Sequence, residues 1–207
     1  MDDLYSYEKE LIKKGITLIA VVDEVGRGPL VGPVVTAAVI LPVNYQLEGL
    51  TDSKKLSPKK RDKFYDIIMR DAIAVSIGMK DAKIIDEVNI YEATKLARID
   101  AINGFSIIPE HVLIDAMPLD ISIPHTSIIK GDAKSLSIAA ASVIAKVTRD
   151  RMMDELDIKY PMYNYKKNKG YPTKEHLEAI TRYGIIQEYR KTYGPVRDYL
   201  EKNKTTH

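Results

Sequence analysis

The chain has 207 residues, of which 45% are hydrophobic, and this is enough to bury one substantial core. Its 31 basic and 29 acidic residues nearly cancel to a formal charge of +2, so bulk charge neither requires nor excludes a polyanionic partner. There is no cysteine, which excludes disulfides and thiolate metal sites, so any metal ion must bind to carboxylates or imidazoles.

The sequence also indicates where the protein works and how it is divided. No run is long enough to span a bilayer, and residues 1–14 lack the basic start and apolar stretch of a signal peptide, so we expect a cytoplasmic protein without membrane contact. We expect a catalytic domain over residues 1–158, in which residues 1–14 form an N-terminal extension. The composition then shifts to Tyr, Lys and Asn, which predicts a C-terminal helical extension over residues 159–207 that contributes to substrate binding.

The first half of the chain predicts two strands, a helix and a third strand. Residues 16–22 and 34–41 are short apolar runs separated by a tight Gly/Pro segment, as in an antiparallel pair, and the first run is predicted to end at Asp23. Ser57 as N-cap and Pro58 at the first helical position predict a helix over residues 59–70. Residues 72–79 are then predicted to form a strand.

The second half alternates helices and strands. Helices are predicted over residues 90–102 and 135–156 and near 173–183, with short strands at 111–114, ending at Asp115, and at 126–129. The polar tail at residues 202–207 is expected to fray. Strands first, then alternating helix and strand, predict a mixed α/β sheet covered by helices.

The segment DEVGRGPLVGP at residues 23–33 is the most informative motif, because two acids run directly into a glycine-rich turn. Carboxylates are hard oxygen donors suited to Mg²⁺ or Mn²⁺, and exposed glycine amides could hold a phosphate or a sugar hydroxyl. A bare turn with solvated acids is the alternative. Adjacent strand residues point to opposite faces, so Asp23 and Glu24 can share an ion only if the strand ends or bulges there, or if the Glu24 carbonyl replaces its side chain.

Two further acids follow other predicted strands. Asp115 closes the run at residues 111–114, and in an open sheet the mouths of neighbouring strands lie side by side. Asp132 lies just before the long helix, where it could serve as an N-cap and still approach a metal ion or a water. Taken alone, Asp115 is more typical of a turn residue than of a metal ligand, and Asp132 is equally compatible with an N-cap, so the prediction depends on their convergence.

Two loops have the composition of nucleic-acid contacts. Ser53 and Lys54 lie in DSKKLS at residues 52–57, where free amides and the dipole of the next helix favour a phosphate. KKNKGY at residues 166–171 places charge beside the aromatic face of Tyr171, which could stack on a sugar or base. Solvated surface loops are the alternative for both. Asp150 is interpreted as a structural ion pair, and the histidines show no spacing typical of metal ligands.

Together these motifs resemble ribonuclease HII, in order and over nearly the whole chain. The resemblance implies a ribonuclease H-like fold with a C-terminal helical extension and Mg²⁺ or Mn²⁺, two ions during catalysis, at the family's acidic positions. It implies that Asp132 completes the second metal position or orders its water. Substrate would be contacted by the turn that senses the ribose 2′-hydroxyl, by the 52–57 loop and by the tyrosine packed beneath the next sugar. The residues matched are Asp23, Glu24, Asp115 and Asp132 for the acids, and Gly26, Arg27, Gly28, Ser53, Lys54 and Tyr171 for the contacts.

The resemblance further implies a substrate and a product. The substrate would be RNA paired with DNA, or a ribonucleotide embedded in duplex DNA, cut on its 5′ side to leave a 3′-hydroxyl and a 5′-phosphate. Pro172 departs from the family, which commonly has glycine there, so junction preference is less firmly implied than catalysis. The related ribonuclease HIII group carries an extra N-terminal domain, for which the residues before Ile16 leave no room.

Two alternatives of other kinds are kept. One is a non-catalytic protein that binds RNA–DNA hybrids on the same fold, which loss of one carboxylate would have signalled. The other is a different metal nuclease or transposase on this fold, since fold alone does not determine function. We expect a monomer.

Overall fold

A computed structural model describes residues 6–115, 117–128 and 135–204 of the chain. None of the helices within these ranges is long and apolar enough to cross a membrane. The helices are α1 Ser6–Lys13, α2 Pro58–Asp71, α3 Ala82–Asn103, α4 Leu136–Lys159, α5 Tyr165–Asn168, α6 Lys174–Tyr183 and α7 Gly194–Lys204. The strands are β1 Ile19–Val25, β2 Val34–Ile40, β3 Ala74–Lys80, β4 His111–Asp115 and β5 His125–Ile128.

The strands form one mixed sheet of five strands in the order β3-β2-β1-β4-β5. β1 pairs antiparallel with β2, and β2 with β3, whereas β4 runs parallel to both β1 and β5. The antiparallel pair β1–β2 has a short connection, residues 26–33, whereas residues 41–73, which include α2, connect β2 to β3. The parallel pair β1–β4 is separated in the chain by β2, α2, β3 and α3, which provide the crossover that a parallel pair needs. The predicted mixed α/β sheet is confirmed.

Helices cover both faces of the sheet, and the alternation of side chains along β1 assigns each residue to one face. Ala20 and Val22 pack in the same hydrophobic cluster as Ala101 and Ile102 of α3. Val21, on the opposite face, packs with a cluster that includes Ile138 of α4. Because residues two apart share a face, Asp23 follows Val21 on the α4 side and Glu24 follows Val22 on the α3 side.

Several helix starts follow from local sequence signals. Ser57 caps α2 by accepting from the backbone N–H of Lys60, with Pro58 in the first turn as predicted. The helix predicted over residues 90–102 is the second part of α3. That helix begins earlier, at Ala82, and is interrupted at Asn89, whose φ of 68° and ψ of 166° are not helical.

The predicted end of the first strand is wrong. β1 continues through Asp23 and Glu24, which pair in unbroken register with Ala37 and Thr36, so the strand neither ends nor bulges at the two acids. It ends instead at Val25, just before Gly26, whose φ of 89° leaves the strand conformation. The pairing partner explains the difference, because β2 supplies hydrogen bonds to β1 beyond the apolar run.

Two terminal helices were not predicted. α1 occupies most of the predicted N-terminal extension and buries Leu11 against Val21. α7 includes residues 202–204 of the tail that was expected to fray, so that expectation is wrong for these residues. Val196 in α7 is fully buried in a cluster with Leu30 and Val31, which lie immediately after the glycine-rich turn.

Candidate active site

Two of the predicted acids lie on the same face of adjacent strands. The parallel register pairs Val22 with Ile114, and its continuation by one residue places Asp23 beside Asp115. Asp115 shares its face with Leu113, which packs in the same cluster as Val21 on the α4 side. β1 and β4 therefore place Asp23 and Asp115 on the same side of the sheet, the side that faces α4.

Asp23 is held in the wall of a cleft of about 320 Å³ between β1, the 50–55 loop and α4. Its carboxylate is hydrogen-bonded to Ser142 of α4. The Ser142 hydroxyl is in turn 2.8 Å from that of Ser53, whose side chain is buried. The predicted contact residue Ser53 thus packs its hydroxyl into the wall of the cleft, while Lys54 beside it is exposed.

Burial changes the acidity of Asp23. Its removal from water, together with the negative charge of Glu24, raises the pKa of the Asp23 carboxyl from 3.8 to about 7. Hydrogen bonds from Ser142 and from the backbone of Glu24, and the positive charge of Arg98, act in the opposite direction. A group that exchanges its proton near neutral pH can readily exchange that proton for a cation.

Glu24 lies on the other face of the sheet and is paired with a buried arginine. Arg98 of α3, only 2% exposed, donates through both Nε, at 3.1 Å, and Nη2 to Oε2 of Glu24. Its Nη1 donates to the backbone carbonyl of Asp115 at 2.9 Å. Arg98 therefore joins β1, β4 and α3 directly behind the acidic strand ends, and it neutralises Glu24.

The glycine-rich turn is held from below by Arg190, a fully buried arginine. Arg190 donates to the carbonyl oxygens of Gly26 at 2.6 Å, of Arg27 at 3.0 Å and of Gly32 at 2.9 and 3.0 Å. The hydroxyl of Tyr193 also donates to the Arg27 carbonyl, at 2.6 Å. Because the carbonyls of the turn are bound on the protein side, Arg27 and Gly28 remain exposed on the other side.

A second buried arginine ties the turn to the loop that carries Tyr171. Arg149 of α4 donates to the carbonyls of Pro33 at 3.0 Å, Val31 at 3.1 Å and Lys169 at 2.9 Å. Burial lowers its pKa to about 10, which still leaves the guanidinium charged at neutral pH. Arg149 thus fixes two of the predicted contact segments to each other.

Tyr171 lies directly against the turn. A Cβ built at Gly28 would be 3.3 Å from Cε1 of the Tyr171 ring, closer than most Cβ contacts in proteins, so the lack of a side chain at Gly28 lets the ring lie directly against the backbone. The ring is 40% exposed, so one part faces solvent while another rests on Gly28. This arrangement presents an aromatic face beside exposed backbone, as stacking on a sugar requires.

The described part of the structure places only two of the four predicted acids on the same face of the sheet. Asp23 and Asp115 share a face, Glu24 lies on the opposite face, and Asp132 is outside the described residues. Within residues 6–115, 117–128 and 135–204, no three acidic or histidine side chains are close enough to hold a metal ion together. The predicted structural role of Asp150 is confirmed by its ion pair with Lys146 at 2.7 Å.

The acids nevertheless fit a hard divalent cation. Oδ1 of Asp115 is buried and has no hydrogen-bond partner among the described residues. Asp23, beside it, has a raised pKa because its charge is poorly solvated. Both features are those of carboxylates that a cation would stabilise, and oxygen-only donors suit Mg²⁺ or Mn²⁺.

Four supporting residues were not predicted from the sequence. Arg98, Arg149 and Arg190 are each at most 2% exposed, and His176, which the sequence analysis left out of the site, is fully buried. His176 contacts the Tyr171 carbonyl through Nδ1 at 2.8 Å. One local signal was available: His176 lies five residues after Tyr171, in the first turn of α6.

Comparison with known proteins connects this geometry to a family. The family model described as Ribonuclease HII matches residues 20–193, which include the described acids, the turn and Tyr171. The chain is 59% identical over 202 residues to "Ribonuclease HII" of Bacillus cytotoxicus, covering 98% of this chain and 78% of that protein.

Solved structures agree with the fold. The ribonuclease H2 of Pyrococcus horikoshii superposes with a TM-score of 0.75 at 28% identity, covering 90% of this chain and 98% of that one. Bst-RNase HIII in complex with Mn²⁺ has a TM-score of 0.68 over 90% of this chain and 70% of its own, and at 17% identity it supports the fold alone.

Proposed function

The chain belongs to the ribonuclease HII family, and from this premise we propose that it incises the RNA strand of RNA–DNA hybrids and DNA on the 5′ side of embedded ribonucleotides. It is a ribonuclease H-type endonuclease of a family that depends on divalent metal ions and acts on nucleic acid. The finer substrate and the products, a 3′-hydroxyl and a 5′-phosphate, are the proposal. The observation that supports it is that Asp23 and Asp115 share the side of the sheet that faces α4, while Arg149 of α4 ties the glycine-rich turn to the loop that carries Tyr171.

Asp23 and Asp115 are proposed as metal ligands because their carboxylates share a face and lack full compensation. Glu24 and Asp132 complete the proposed set, the former through its carbonyl or through a side chain released from Arg98. The ions, Mg²⁺ or Mn²⁺ and two during catalysis, would supply a nucleophilic water and neutralise charge on the phosphate. The chain itself orients the acids through Ser142 and Arg98.

Gly26, Arg27 and Gly28 are proposed to recognise the ribose 2′-hydroxyl, the one group that distinguishes the two sugars. The support is that Arg190 and Tyr193 bind the carbonyls of Gly26 and Arg27 from the protein side. Lys54 is proposed to contact a phosphate through its exposed ammonium group. The hydroxyl of Ser53 is paired with that of Ser142, so for Ser53 we propose a substrate contact through its backbone, near the start of the 52–57 loop.

Tyr171 is proposed to pack beneath the sugar that follows the ribonucleotide. Its support is the half-exposed ring resting on Gly28. We also propose that residues 159–207 act as a substrate-binding extension of the catalytic domain over residues 1–158, that the protein works as a monomer, and that it acts in the cytoplasm, where bacterial DNA lies.

The test uses duplex DNA with one ribonucleotide, incubated with Mg²⁺ or Mn²⁺ and either the parent protein or its Asp115→Asn variant. All-DNA duplex is the control for selectivity. We expect metal-dependent incision 5′ to the ribonucleotide by the parent and at least a ~100-fold loss in the variant, because a ligand of the reacting centre is removed. Binding without incision by the folded parent would instead favour the non-catalytic hybrid-binding alternative.

A further inference from the structure

A chain of buried hydrogen bonds ends on the backbone of Tyr171. Nδ1 of His176 is 2.8 Å from the Tyr171 carbonyl oxygen, and its Nε2 is 2.7 Å from the Tyr189 hydroxyl. That hydroxyl is 3.1 Å from the hydroxyl of Tyr165. All three side chains are at most 1% exposed, so water does not compete for these bonds.

The chemistry of the groups determines the direction of each bond. A backbone carbonyl only accepts, so Nδ1 of His176 must carry the proton. Burial lowers the pKa of His176, which keeps the ring neutral at neutral pH, and Nε2 is therefore an acceptor. Tyr189 must then donate to His176 and accept from Tyr165. The relay runs in one direction, from Tyr165 through Tyr189 and His176 to the carbonyl of Tyr171.

The loop around Tyr171 is held on its N-terminal side by Arg149 and by the N–H of Leu30, which bind the carbonyls of Lys169 and Gly170, and His176 adds a support at Tyr171 itself. This loop lies between α5 and α6, and the two residues before Tyr171, Lys169 and Gly170, have φ of 50° and 86°. The amide of Tyr171 donates to the carbonyl of Asn168, and the carbonyl of Tyr171 accepts from the N–H of Thr173, so both bonds are local to residues 168–173. Pro172 has no N–H to add a further bond. Among the described residues, His176 is thus the link from the Tyr171 carbonyl to a buried side chain of a helix.

We propose that His176 is a positioning residue that sets selectivity for the junction between a ribonucleotide and a deoxyribonucleotide, by holding the backbone of Tyr171 so that its ring stays against Gly28. The inference rests on the proposed function of Tyr171. It assigns a role to a histidine that touches neither metal nor substrate. Selectivity, rather than catalysis, is the affected quantity because the acids lie on other elements of the fold.

The experiment compares incision of two substrates by the full chain: duplex DNA with a single ribonucleotide, and a hybrid whose whole RNA strand pairs with DNA. The measured quantity is the ratio of kcat/KM on the first to that on the second, in which any loss of folded protein cancels. His176→Leu removes the donor to Tyr171. His176→Asn is its matched control, because the Asn amide nitrogen occupies the position of Nδ1 and restores the donor.

We expect the ratio to fall about tenfold in His176→Leu and to return to within about threefold of the parent in His176→Asn. Tyr189→Phe removes a single hydroxyl from the relay and should lower the ratio in the same direction by about threefold, which tests the idea even if His176→Leu does not fold. Tyr165→Phe removes a hydroxyl that bonds to Tyr189 and not to His176, and it keeps the ring that packs edge-on against the imidazole, so it should change the ratio by less than about twofold. Nitrogen-15 NMR of the parent should show the proton of His176 on Nδ1.

An equal loss on both substrates in His176→Leu would overturn the inference, because a merely structural histidine lowers both rates together. A proton found on Nε2 would overturn it as well, and so would a Tyr171→Ala variant that keeps the parent's ratio. Failure of the parent to incise either substrate would instead overturn the proposed function, so the two failures are distinguishable.

Discussion

Replacement of Gly26 by alanine tests how the buried Arg149 holds the glycine-rich turn. A Cβ at Gly26 would overlap Nε of Arg149 and would lie 2.6 Å from its Cδ and 2.9 Å from the carbonyl oxygen of Pro33. Gly15 provides a matched control, since its φ of 84° is close to the 89° of Gly26 but a Cβ there would have no atom within 4 Å. The two variants share the backbone strain and differ in the clash.

The magnitude follows from the contacts that Arg149 would lose. The left-handed conformation costs an alanine about 1–2 kcal/mol, and this applies to both variants. In Gly26→Ala the guanidinium must also move away from at least one carbonyl, and a hydrogen bond from a charged donor contributes about 1.5–3 kcal/mol. We therefore expect Gly26→Ala to be destabilised by roughly 2–3 kcal/mol more than Gly15→Ala, since only the first displaces Arg149.

Thermal unfolding of the two variants and the parent measures this difference. For a protein of this size 1 kcal/mol corresponds to about 2–4 °C, so the extra fall in Tm should be roughly 4–12 °C. Incision of the ribonucleotide substrate at a temperature where both variants are folded should decrease in Gly26→Ala and stay near the parent's rate in Gly15→Ala. Equal falls in Tm would refute the reasoning, because they would show that Arg149 moves aside without cost.

Three further predictions concern the charged groups around Asp23 and Glu24. Because the pKa of Asp23 is raised from 3.8 to about 7, the metal-free folded protein keeps a proton that the unfolded chain releases as pH rises through this window. The parent should therefore lose stability relative to Asp23→Asn between pH 4 and 7 in chelator, as measured by denaturant unfolding, and a constant difference would contradict the raised pKa. Mn²⁺ binding by calorimetry should release close to one proton at pH 6 and fewer at pH 8, while equal release at both would show that Asp23 binds no ion. Arg98→Met should destabilise the protein by about 3 kcal/mol, because the largely buried Glu24 carboxylate keeps only a long contact of 3.8 Å with the exposed Arg27. Adding Glu24→Gln should recover most of this loss in denaturant unfolding, and a cost below about 1 kcal/mol would contradict the importance of the Arg98–Glu24 pair.

Much of the fold could be predicted because its signals are local. The Ser57-Pro58 pair starts α2, and Thr173 caps α6 by accepting from the N–H of His176. Short apolar runs gave the strands, and their spacing correctly indicated an antiparallel β1–β2 pair. Where the prediction was wrong, a partner distant in sequence decided the outcome. β1 extends through the acids because β2 pairs with it, and α7 is helical because Val196 packs against Leu30 and Val31.

The same division applies to the site. The amino-acid sequence by itself determined which side chains are available to the site: acids at two strand ends, a Gly-Arg-Gly turn and a tyrosine in a basic loop. Only the tertiary structure decided that Asp23 and Asp115 share a face while Glu24 takes the other, because the strand continues unbroken through both acids of the motif.

The buried arginines show the physical reason most directly. Arg98, Arg149 and Arg190 are charged groups at helix or loop positions that local sequence patterns assign to solvent, yet each is at most 2% exposed. A buried guanidinium is stable only where carbonyl or carboxylate oxygens surround it, and here those oxygens come from chain segments between 17 and 164 residues away. Local periodicity carries no information about such partners, so the tertiary structure alone determines which charges support the turn and the acids.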